Sequence, residues 1–561
     1  MLSRPPFTGS LERNARWLIF GGLFIVALAF AAYTRHAWED YYITYRCSKN
    51  LATGHGLVYT VGERVHAFTS PFNVLVPAGL NALTGNRSDG LVLWLFRVVS
   101  SALLGGAAVL LFDIARRNAL GAIATAVLVG LLAMDPKIVD FSINGQEVGF
   151  MMFFLALALH ALTVPSARTI VKLGLAGAGL MWTRPDGFIY LGAVSVGFLL
   201  FDAGRGIGQS RLGLVKVYLC AGALTAVLYL PWFLWAWNYY GSPVPHTIIA
   251  KGVVHNTVAL VTQGLGQNPT ARPPRSEVLS AVAARLQRTS LGSTFLPAYA
   301  WAFGGWHWTA VLYGKCLAVL CAFYWCVPSA RPAARGASLA FLLGHGYLSY
   351  ATPAFYPWYL PNLAILGIFV LAHVAQQGLN FAHSLKDRKP GRFGGLPTGV
   401  RILAAVVLSC ACLLFLCAAW QLRVQQREIE EGTRKQIGLW LRQQAASPAD
   451  TVFLEPLGYI GFFSQLKMLD TPGLSAPEVV AVEKRLKTTK PGRVIPELRP
   501  DWLVLRPAEA SQITELAPRL LTEDYSSVKV FDASKRVAAY GWLPGRGYLE
   551  VDQTFTVYRR K

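Results

Sequence analysis

Long apolar stretches recur along the first 420 residues and restrict the chain to one broad class of fold. They lie near residues 17–33, 91–112, 119–134, 147–164, 170–182, 187–201, 213–238, 308–328, 336–350, 359–376 and 401–420. About 20 apolar residues cross the hydrocarbon core as a helix, although several of these stretches are shorter. Only 15% of the residues are charged, against about 25% in a soluble protein. We therefore expect a mainly α polytopic membrane protein with about eleven transmembrane helices.

The basic residues indicate how these helices are oriented. The formal net charge is +22, which in a soluble protein would suggest a nucleic-acid partner. Here Lys and Arg concentrate instead in every second short loop, as in the cytoplasmic loops of membrane proteins. Examples are Arg116 and Arg117, Arg168 and Lys172, Arg211 and Lys216, and Arg331 and Arg335. We predict a bacterial inner-membrane protein with no nucleic-acid partner, whose residues 35–90, 239–307 and 421–561 are extracytoplasmic.

Residues 421–561 predict a soluble α/β domain outside the membrane, following a transmembrane domain over residues 1–420. The segment opens with a charged helical run, Gln425 to Arg442. Short β-rich runs and one amphipathic helical pattern follow, with strands near 451–454, 501–505, 528–531 and 554–558 and the helix near 476–486. It has no nucleotide-binding glycine pattern, so contact with a sugar chain and structural support are equally compatible with it.

Two adjacent carboxylates directly follow the first apolar stretch. Glu39 and Asp40 lie in Trp38–Arg46, on the far side of the bilayer from the basic N-terminus. A plain interfacial anchor would place the aromatic rings of this segment at headgroup level and leave both carboxylates in water. Alternatively, a cation or a reaction uses the two charges. An amphipathic helix over 42–52 is expected next, and residues 71–83, too few to span, are expected to be re-entrant or interfacial.

The motifs around these carboxylates resemble those of a known group of enzymes. The runs EDYYITYR, NLATGHGLVY and GERVHAFTSP are similar to the first external loop of GT-C polytopic glycosyltransferases. Within that class the motifs are most similar to those of the group containing arabinofuranosyltransferase B and pilin arabinosyltransferase. NGQE, TRPDG, GSPVPHTIIAK, EPLGYIGFFS and LDTPGL continue the match in the same order. The chain departs from the pattern at Glu39, where the group has Asp, and at His66 and His246, which replace Glu and Asn.

The resemblance implies transfer of a sugar from a polyprenyl-phosphate carrier to an acceptor outside the cytoplasm. Such a transfer needs a carboxylate as general base; Asp40 is expected in this role, with Glu39 as its partner or as the base itself. Cations must hold the departing phosphate, and Lys251 and Arg184 are expected there, with Arg46 as a third. Substrate contacts are expected from residues on the predicted outer loops: Tyr41, Tyr45, Thr69, Ser70, Glu147, Asp186, His246, Tyr356, Trp358 and Tyr359.

Each of these polar and aromatic residues also has an ordinary structural explanation. An interfacial arginine commonly serves only as an anchor among lipid headgroups. Asp186 can simply hold Arg184, and Glu147 can stabilise a helix start through the helix dipole. His246 and Thr69 suit generic loop roles, and the aromatic residues at 356–359 suit an interfacial belt.

Arabinofuranose is the donor sugar that the resemblance favours, with a cell-envelope glycan or a surface protein as acceptor. A GT-C enzyme that uses another lipid-linked sugar, such as mannose or aminoarabinose, is an alternative. A lipid-linked sugar flippase is a second, but it would predict charges in mid-span and two related halves. A non-catalytic protein of the same fold is a third, and it would not need the two adjacent carboxylates.

No obligatory cofactor is expected, although the carboxylate pair leaves room for a divalent cation. The sequence shows no second dense acidic cluster that would complete such a site. The eight cysteines have neither the spacing of a zinc site nor that of a disulfide framework. They are expected to act as small apolar packing residues.

Overall fold

The computed structural model describes residues 9–201, 210–254, 291–351, 356–388 and 395–561. Residues 255–290 of the predicted outer loop 239–307 lie outside this description. Each apolar stretch of the sequence coincides with a helix. The α-helices of the first part are α1 (Gly9–Thr34), α2 (Glu39–Ala52), α3 (Pro71–Leu83), α4 (Asp89–Arg117), α5 (Ala122–Met134), α6 (Pro136–Ile143), α7 (Val148–Thr163), α8 (Thr169–Thr183), α9 (Gly187–Phe201), α10 (Arg211–Tyr240), α11 (His246–Val254), α12 (Ala300–Phe303), α13 (Trp308–Phe323), α14 (Pro332–Tyr350), α15 (Pro361–Arg388) and α16 (Leu396–Gln425).

The number of crossings that helix length alone supports is smaller than the sequence suggests. Six helical stretches in the described part of the chain are long and apolar enough to cross a membrane, starting with α1, α4, α10, α13, α15 and α16. A seventh is added if α5 and α6, bent by 47°, form one span. α7, α8 and α9 have 15 or 16 residues, and at 1.5 Å per residue they are shorter than the ~30 Å core. The chain is a polytopic membrane protein, and the total of eleven crossings stays a prediction.

The membrane helices pack through apolar side chains into one large core. α4 lies against α1 and α7, α8 against α7 and α10, and α9 against α14. Leu104, Leu111, Leu155 and Phe369 are fully buried in this core. α3 begins at Pro71 and ends at Leu83, so the short segment predicted as re-entrant or interfacial is a helix of 13 residues.

The C-terminal part joins the membrane helices through one uninterrupted helical stretch. α16 continues through a π-helical segment, Gln426–Arg434, into α17 (Lys435–Gln444). The predicted boundary between residues 420 and 421 therefore falls inside a helix. The remaining helices are α18 (Leu457–Ser464), α19 (Pro477–Leu486), α20 (Pro491–Leu498), α21 (Pro507–Leu516), α22 (Ser534–Ala538) and α23 (Arg546–Val551).

Five strands form the mixed sheet of this domain. They are β1 (Thr451–Leu454), β2 (Lys467–Asp470), β3 (Trp502–Leu505), β4 (Tyr525–Asp532) and β5 (Thr554–Arg560), in the order β2-β1-β3-β5-β4. β1 pairs in parallel with β2 and β3, whereas β5 pairs antiparallel with β3 and β4. The four predicted strands and the predicted helix are present. β2 was not predicted, because a four-residue strand with a charged residue at each end has no clear alternation.

The sheet domain packs directly on α2 and α10. Ile43 of α2 and Trp232 of α10 share an apolar cluster with Val452 of β1 and Trp502 of β3. The segment carrying Glu39 and Asp40 therefore lies between the membrane helices and the C-terminal domain.

Candidate active site

A cavity of about 530 Å³ lies where the membrane helices meet the C-terminal domain. Both parts of the chain contribute to its walls. Eleven of the fifteen predicted site residues line it: Glu39, Asp40, Thr69, Ser70, Glu147, Arg184, Asp186, Lys251, Tyr356, Trp358 and Tyr359. Every one of these lies on a loop or at a helix end that the sequence placed on the same side of the membrane.

Three hydrogen bonds hold the linker that precedes α2, residues 36–38. The backbone N–H of Trp38 donates to the carbonyl of Asn144 at 3.0 Å, and that of Ala37 donates to Oε1 of Gln426 at 3.1 Å. The buried Arg97 of α4 donates to the carbonyl of His36 at 2.6 Å. These contacts fix the position of the two carboxylates in the first turn of α2, where the helix dipole favours negative charge.

Glu39 points towards the C-terminal domain and is bonded there. Its Oε1 accepts from the backbone N–H of Gly458 at 2.7 Å, and its Oε2 lies 2.7 Å from Nη1 of Arg434. A Cβ at Gly458 would lie 2.0 Å from the carbonyl oxygen of Glu39, so this close approach requires glycine.

Arg434 is the centre of an ion-pair network that contains more carboxylates than cations. It pairs with Glu39, Glu430 and Asp552. Burial raises the pKa of Glu39 to about 8, although the charge of Arg434 lowers it. The carboxylates of Glu430, Glu455 and Asp552 add to the rise. Three carboxylates around one guanidinium favour a shared proton, so Glu39 is poorly suited to act as a free base at neutral pH.

The same network extends to a second arginine of the C-terminal domain. Arg506 pairs with Asp552, with Glu455 at 2.6 Å and with Glu509 at 2.9 Å. Burial alone would raise the pKa of Asp552, but the two neighbouring arginines, Arg434 and Arg506, hold it below its usual value. Of these side chains, Arg506, Glu455 and Asp552 line the cavity.

Asp40 differs from Glu39 in having no bonded partner. No described residue forms a hydrogen bond or ion pair with its half-buried carboxylate. Burial raises the pKa of Asp40 to about 6; Lys251 and Arg184 oppose the rise, and Glu147 and Glu455 add to it. The carboxylate is thus mostly ionised at neutral pH, yet it accepts a proton more readily than an ordinary aspartate, as a general base requires.

Arg184 is held by two carboxylates and a ring. Its Nη1 lies 2.8 Å from Oε1 of Glu147 and its Nε lies 2.9 Å from Oδ1 of Asp186. The ring centroid of Tyr359 is 4.5 Å from the guanidinium carbon. Burial alone would lower the pKa of Arg184, but Asp186, Tyr359 and Glu147 together raise it well above its usual value. A phosphate at this arginine would have to compete with both carboxylates.

Lys251 is the cavity cation without a carboxylate partner among the described residues. α11 begins at His246, whose backbone N–H donates to the carbonyl of His66 at 3.0 Å. Nζ of Lys251 lies 4.7 Å from the ring centroid of Tyr356, in the range of a cation–π contact. The ammonium group is therefore held in the cavity wall and retains its capacity to bind an anion.

Stacked aromatic rings from both parts of the chain complete the cavity wall. Tyr356 stacks on Trp358 with ring centroids 4.5 Å apart. Tyr299 stacks on Tyr548 of the C-terminal domain at the same distance. Such flat apolar surfaces suit both a sugar ring and a lipid chain.

Four predicted site residues lie outside the cavity, and their contacts support structural roles. Arg46 donates to the carbonyls of Gly461, Gln465 and Leu466 and so ties α2 to the C-terminal domain instead of facing a phosphate. Tyr41 and Tyr45 are buried and stacked on each other. His246 lies at the start of α11, and its backbone N–H donates to the carbonyl of His66.

The C-terminal domain contributes side chains to the cavity that sequence analysis did not select. They are Arg434, Glu455, Arg506, Tyr548 and Asp552. Glu455 opens the EPLGYIGFFS motif and Arg434 lies in the predicted charged helical run, so both were inside recognised segments. No local pattern indicates that they face residues some 400 positions earlier.

The cavity has no obvious metal centre. Among the described residues, no group of three or more His, Cys, Asp or Glu side chains is arranged to hold a metal ion. Apart from Asp40, the acidic side chains that line the cavity pair with arginines.

Comparisons with known proteins agree with this architecture. A family model described as a domain of unknown function (DUF8728) matches residues 420–558. A terminal β-(1→2)-arabinofuranosyltransferase from Corynebacterium glutamicum is 29% identical over 242 residues, which cover 38% of this chain. The match covers 32% of that relative, so the chain spans about a third of its length.

Two crystal structures of ArnT from Cupriavidus metallidurans align with almost the whole chain. The structure bound to undecaprenyl phosphate has a TM-score of 0.51, with 96% of this chain and 97% of that chain covered. The apo structure has a TM-score of 0.52, with 97% and 98% covered. The chain has the ArnT-like GT-C fold. At 15% and 14% identity, the likeness establishes the architecture and not the reaction.

Proposed function

We propose that this protein is a polyprenyl-phosphate-sugar-dependent glycosyltransferase of the membrane, acting on the extracytoplasmic side. The main support for the proposal is which charged side chains of the cavity have a bonded counter-ion and which do not. One carboxylate, Asp40, and one ammonium group, Lys251, have no bonded counter-ion among the described residues and face the same space. The solved ArnT structure that covers most of this chain contains undecaprenyl phosphate, a carrier of the class proposed here.

The proposed reaction needs one proton acceptor and one phosphate-binding cation. Asp40 accepts the proton of the acceptor hydroxyl as its oxygen attacks the anomeric carbon of the donor sugar. The bond between that carbon and the phosphate oxygen breaks, and polyprenyl phosphate leaves with the electron pair. Lys251 neutralises the charge that grows on the phosphate. In this mechanism Arg184 has a structural role, since it holds Glu147 and Asp186 in place. Arg434 holds Glu39 in the same way.

D-Arabinofuranose is the proposed donor sugar. The support is the motif resemblance together with the partial match to the corynebacterial arabinofuranosyltransferase. The proposed acceptor is a glycan or a surface protein of the cell envelope. A divalent cation is not assigned a role, since every cavity carboxylate except Asp40 pairs with an arginine.

The proposal is tested with purified protein, synthetic polyprenyl-phosphate arabinofuranose and a short arabinoside acceptor. Mass spectrometry of the products should show one added pentose for the unmodified chain and none for Asp40→Asn. Transfer from polyprenyl-phosphate mannose or aminoarabinose alone would replace the proposed sugar and keep the mechanism. Movement of the lipid across vesicles without any product from any of these donors would favour a flippase and overturn the proposal.

A further inference from the structure

Besides the indole of Trp38, three buried neutral side chains in the cavity wall have polar atoms that no described residue satisfies. They are Oδ1 of Asn73, Nε2 of Gln146 and Oγ1 of Thr247. The residues are 2%, 2% and 6% exposed, respectively. Buried polar groups in folded proteins are nearly always hydrogen-bonded. Three such atoms around one cavity therefore need a polar partner inside it, either water or the hydroxyl groups of a ligand.

Asn73 and Gln146 lie beside the proposed base. The Nδ2 group of Asn73 donates to the carbonyl of Gly145 at 3.1 Å and to Oγ1 of Thr44 at 3.4 Å. These bonds fix the orientation of the amide and leave Oδ1 as the free acceptor. Thr44 follows Asp40 by four residues of α2, a rise of about 6 Å. Gln146 comes directly after Gly145, and both Gln146 and Asn73 line the cavity.

At the turn before Gln146 the backbone approaches the side chain of Tyr41 closely. Gly145 has φ of +100°, and a Cβ there would lie 2.5 Å from the ring of Tyr41. Only glycine fits such a position without strain. Tyr41 thus packs against the turn at Gly145. This contact gives the buried tyrosine next to the two carboxylates a structural role.

Thr247 lies beside the proposed phosphate-binding cation. It precedes Lys251 by four residues on α11, and residues four apart share one face of a helix. Both side chains line the cavity. The three unsatisfied polar atoms therefore extend from the phosphate-binding side at Lys251 to the proton-accepting side at Asp40. In the proposed reaction, the donor sugar occupies the space between these two groups.

We propose that Asn73, Gln146 and Thr247 form a neutral polar subsite that binds ring hydroxyls of the donor sugar. This inference rests on the proposed glycosyltransferase function. The Asn73 oxygen accepts from a hydroxyl, the Gln146 amide donates to one, and the Thr247 hydroxyl does either. A site built to bond hydroxyl groups strongly rejects an analogue that lacks one of them. The subsite thus selects the hydroxyl pattern of the sugar.

The test compares shape-conserving variants on complete and deoxygenated donors. Gln146→Met and Thr247→Val remove the polar atoms and keep side-chain volume. Each should lower kcat/KM about tenfold on the complete donor, the typical effect of one hydrogen bond to a substrate. On the 2-, 3- or 5-deoxy donor that lacks the contacted hydroxyl, the same variant should cause little further loss. Ser101→Ala removes an unsatisfied buried hydroxyl outside the cavity and should change neither value.

The outcomes separate this inference from the function on which it rests. Equal losses on complete and deoxy donors, or a loss that follows a lower unfolding temperature, would assign the residues a structural role and overturn the inference alone. If the loss caused by a variant disappears on deoxy acceptors and not on deoxy donors, the subsite binds the acceptor. That result would overturn the assignment to the donor. Absence of transfer by the unmodified protein from every polyprenyl-phosphate sugar would overturn the function and the inference together.

Discussion

The two sides of the cavity differ in whether every acidic residue has a bonded counter-ion. On the side of the C-terminal domain, Glu39, Glu455 and Asp552 are bonded to Arg434 or Arg506. On the side of the membrane helices, Glu147 and Asp186 pair with Arg184, but Asp40, the next residue after Glu39, has no bonded partner among the residues that the structure describes. The position of a carboxylate in a motif therefore does not decide its chemistry; its counter-ion does. The paired Glu39 holds the two parts of the protein together through Arg434, whereas Asp40 remains free to accept a proton.

The largest expected effect separates the two neighbouring carboxylates. Asp40→Asn should lower kcat by about 10²- to 10⁴-fold, the usual contribution of a general base, with an unchanged unfolding temperature. Glu39→Gln should lower the unfolding temperature more than it lowers kcat, because it loses the ion pair with Arg434. Steady-state rates and thermal unfolding in detergent measure both. The reverse pattern, with Glu39→Gln inactive and well folded, would make Glu39 the base.

The second prediction breaks the network on the C-terminal side. Arg434→Met leaves Glu39, Glu430 and Asp552 without their shared cation. Removing one partner of a buried ion pair costs about 3–5 kcal/mol, so the unfolding temperature should fall clearly. Arg519→Ala is the matched control, since Arg519 and its partner Glu523 are largely exposed and such pairs contribute about 0–1 kcal/mol. Equal effects of the two substitutions would contradict the structural role of the network.

The third prediction concerns the unpaired cation. Lys251→Met should raise KM for the lipid donor about 10- to 100-fold, because a charge-assisted hydrogen bond to the phosphate is lost. Lys49→Met serves as control, because Lys49 pairs with Asp89 at 2.8 Å and does not line the cavity. An unchanged donor KM in Lys251→Met would place the phosphate elsewhere.

The smallest expected effect is a pH dependence that sharpens the assignment of the base. The pKa of Asp40 is raised to about 6, and a general base works only when it is ionised. Activity should therefore be constant above this pKa and fall about tenfold per pH unit below it. The residual rate of Asp40→Asn should lack this acidic limb. A limb that persists in the variant would belong to another group.

A large part of the fold follows from local sequence. The apolar stretches predict the helices, since a chain in lipid must satisfy its backbone hydrogen bonds within each segment. Alternating β-rich runs predict four of the five strands. Charge distribution predicts that Asp40, Arg184 and Lys251 face the same side of the membrane, and the structure brings these three to one cavity.

The pairing of the side chains followed only from the tertiary structure. Arg46 donates to the carbonyl of Gly461, a residue 415 positions later, and Gly458 lies 419 positions after Glu39, the residue it donates to. Such contacts leave no periodic trace, because they depend on how the sheet domain docks on the first external loop. The sequence by itself determined the membrane helices and which polar residues could meet. The tertiary structure decided which of them are neutralised, since a charge is compensated by whatever the folded chain places within about 4 Å of it.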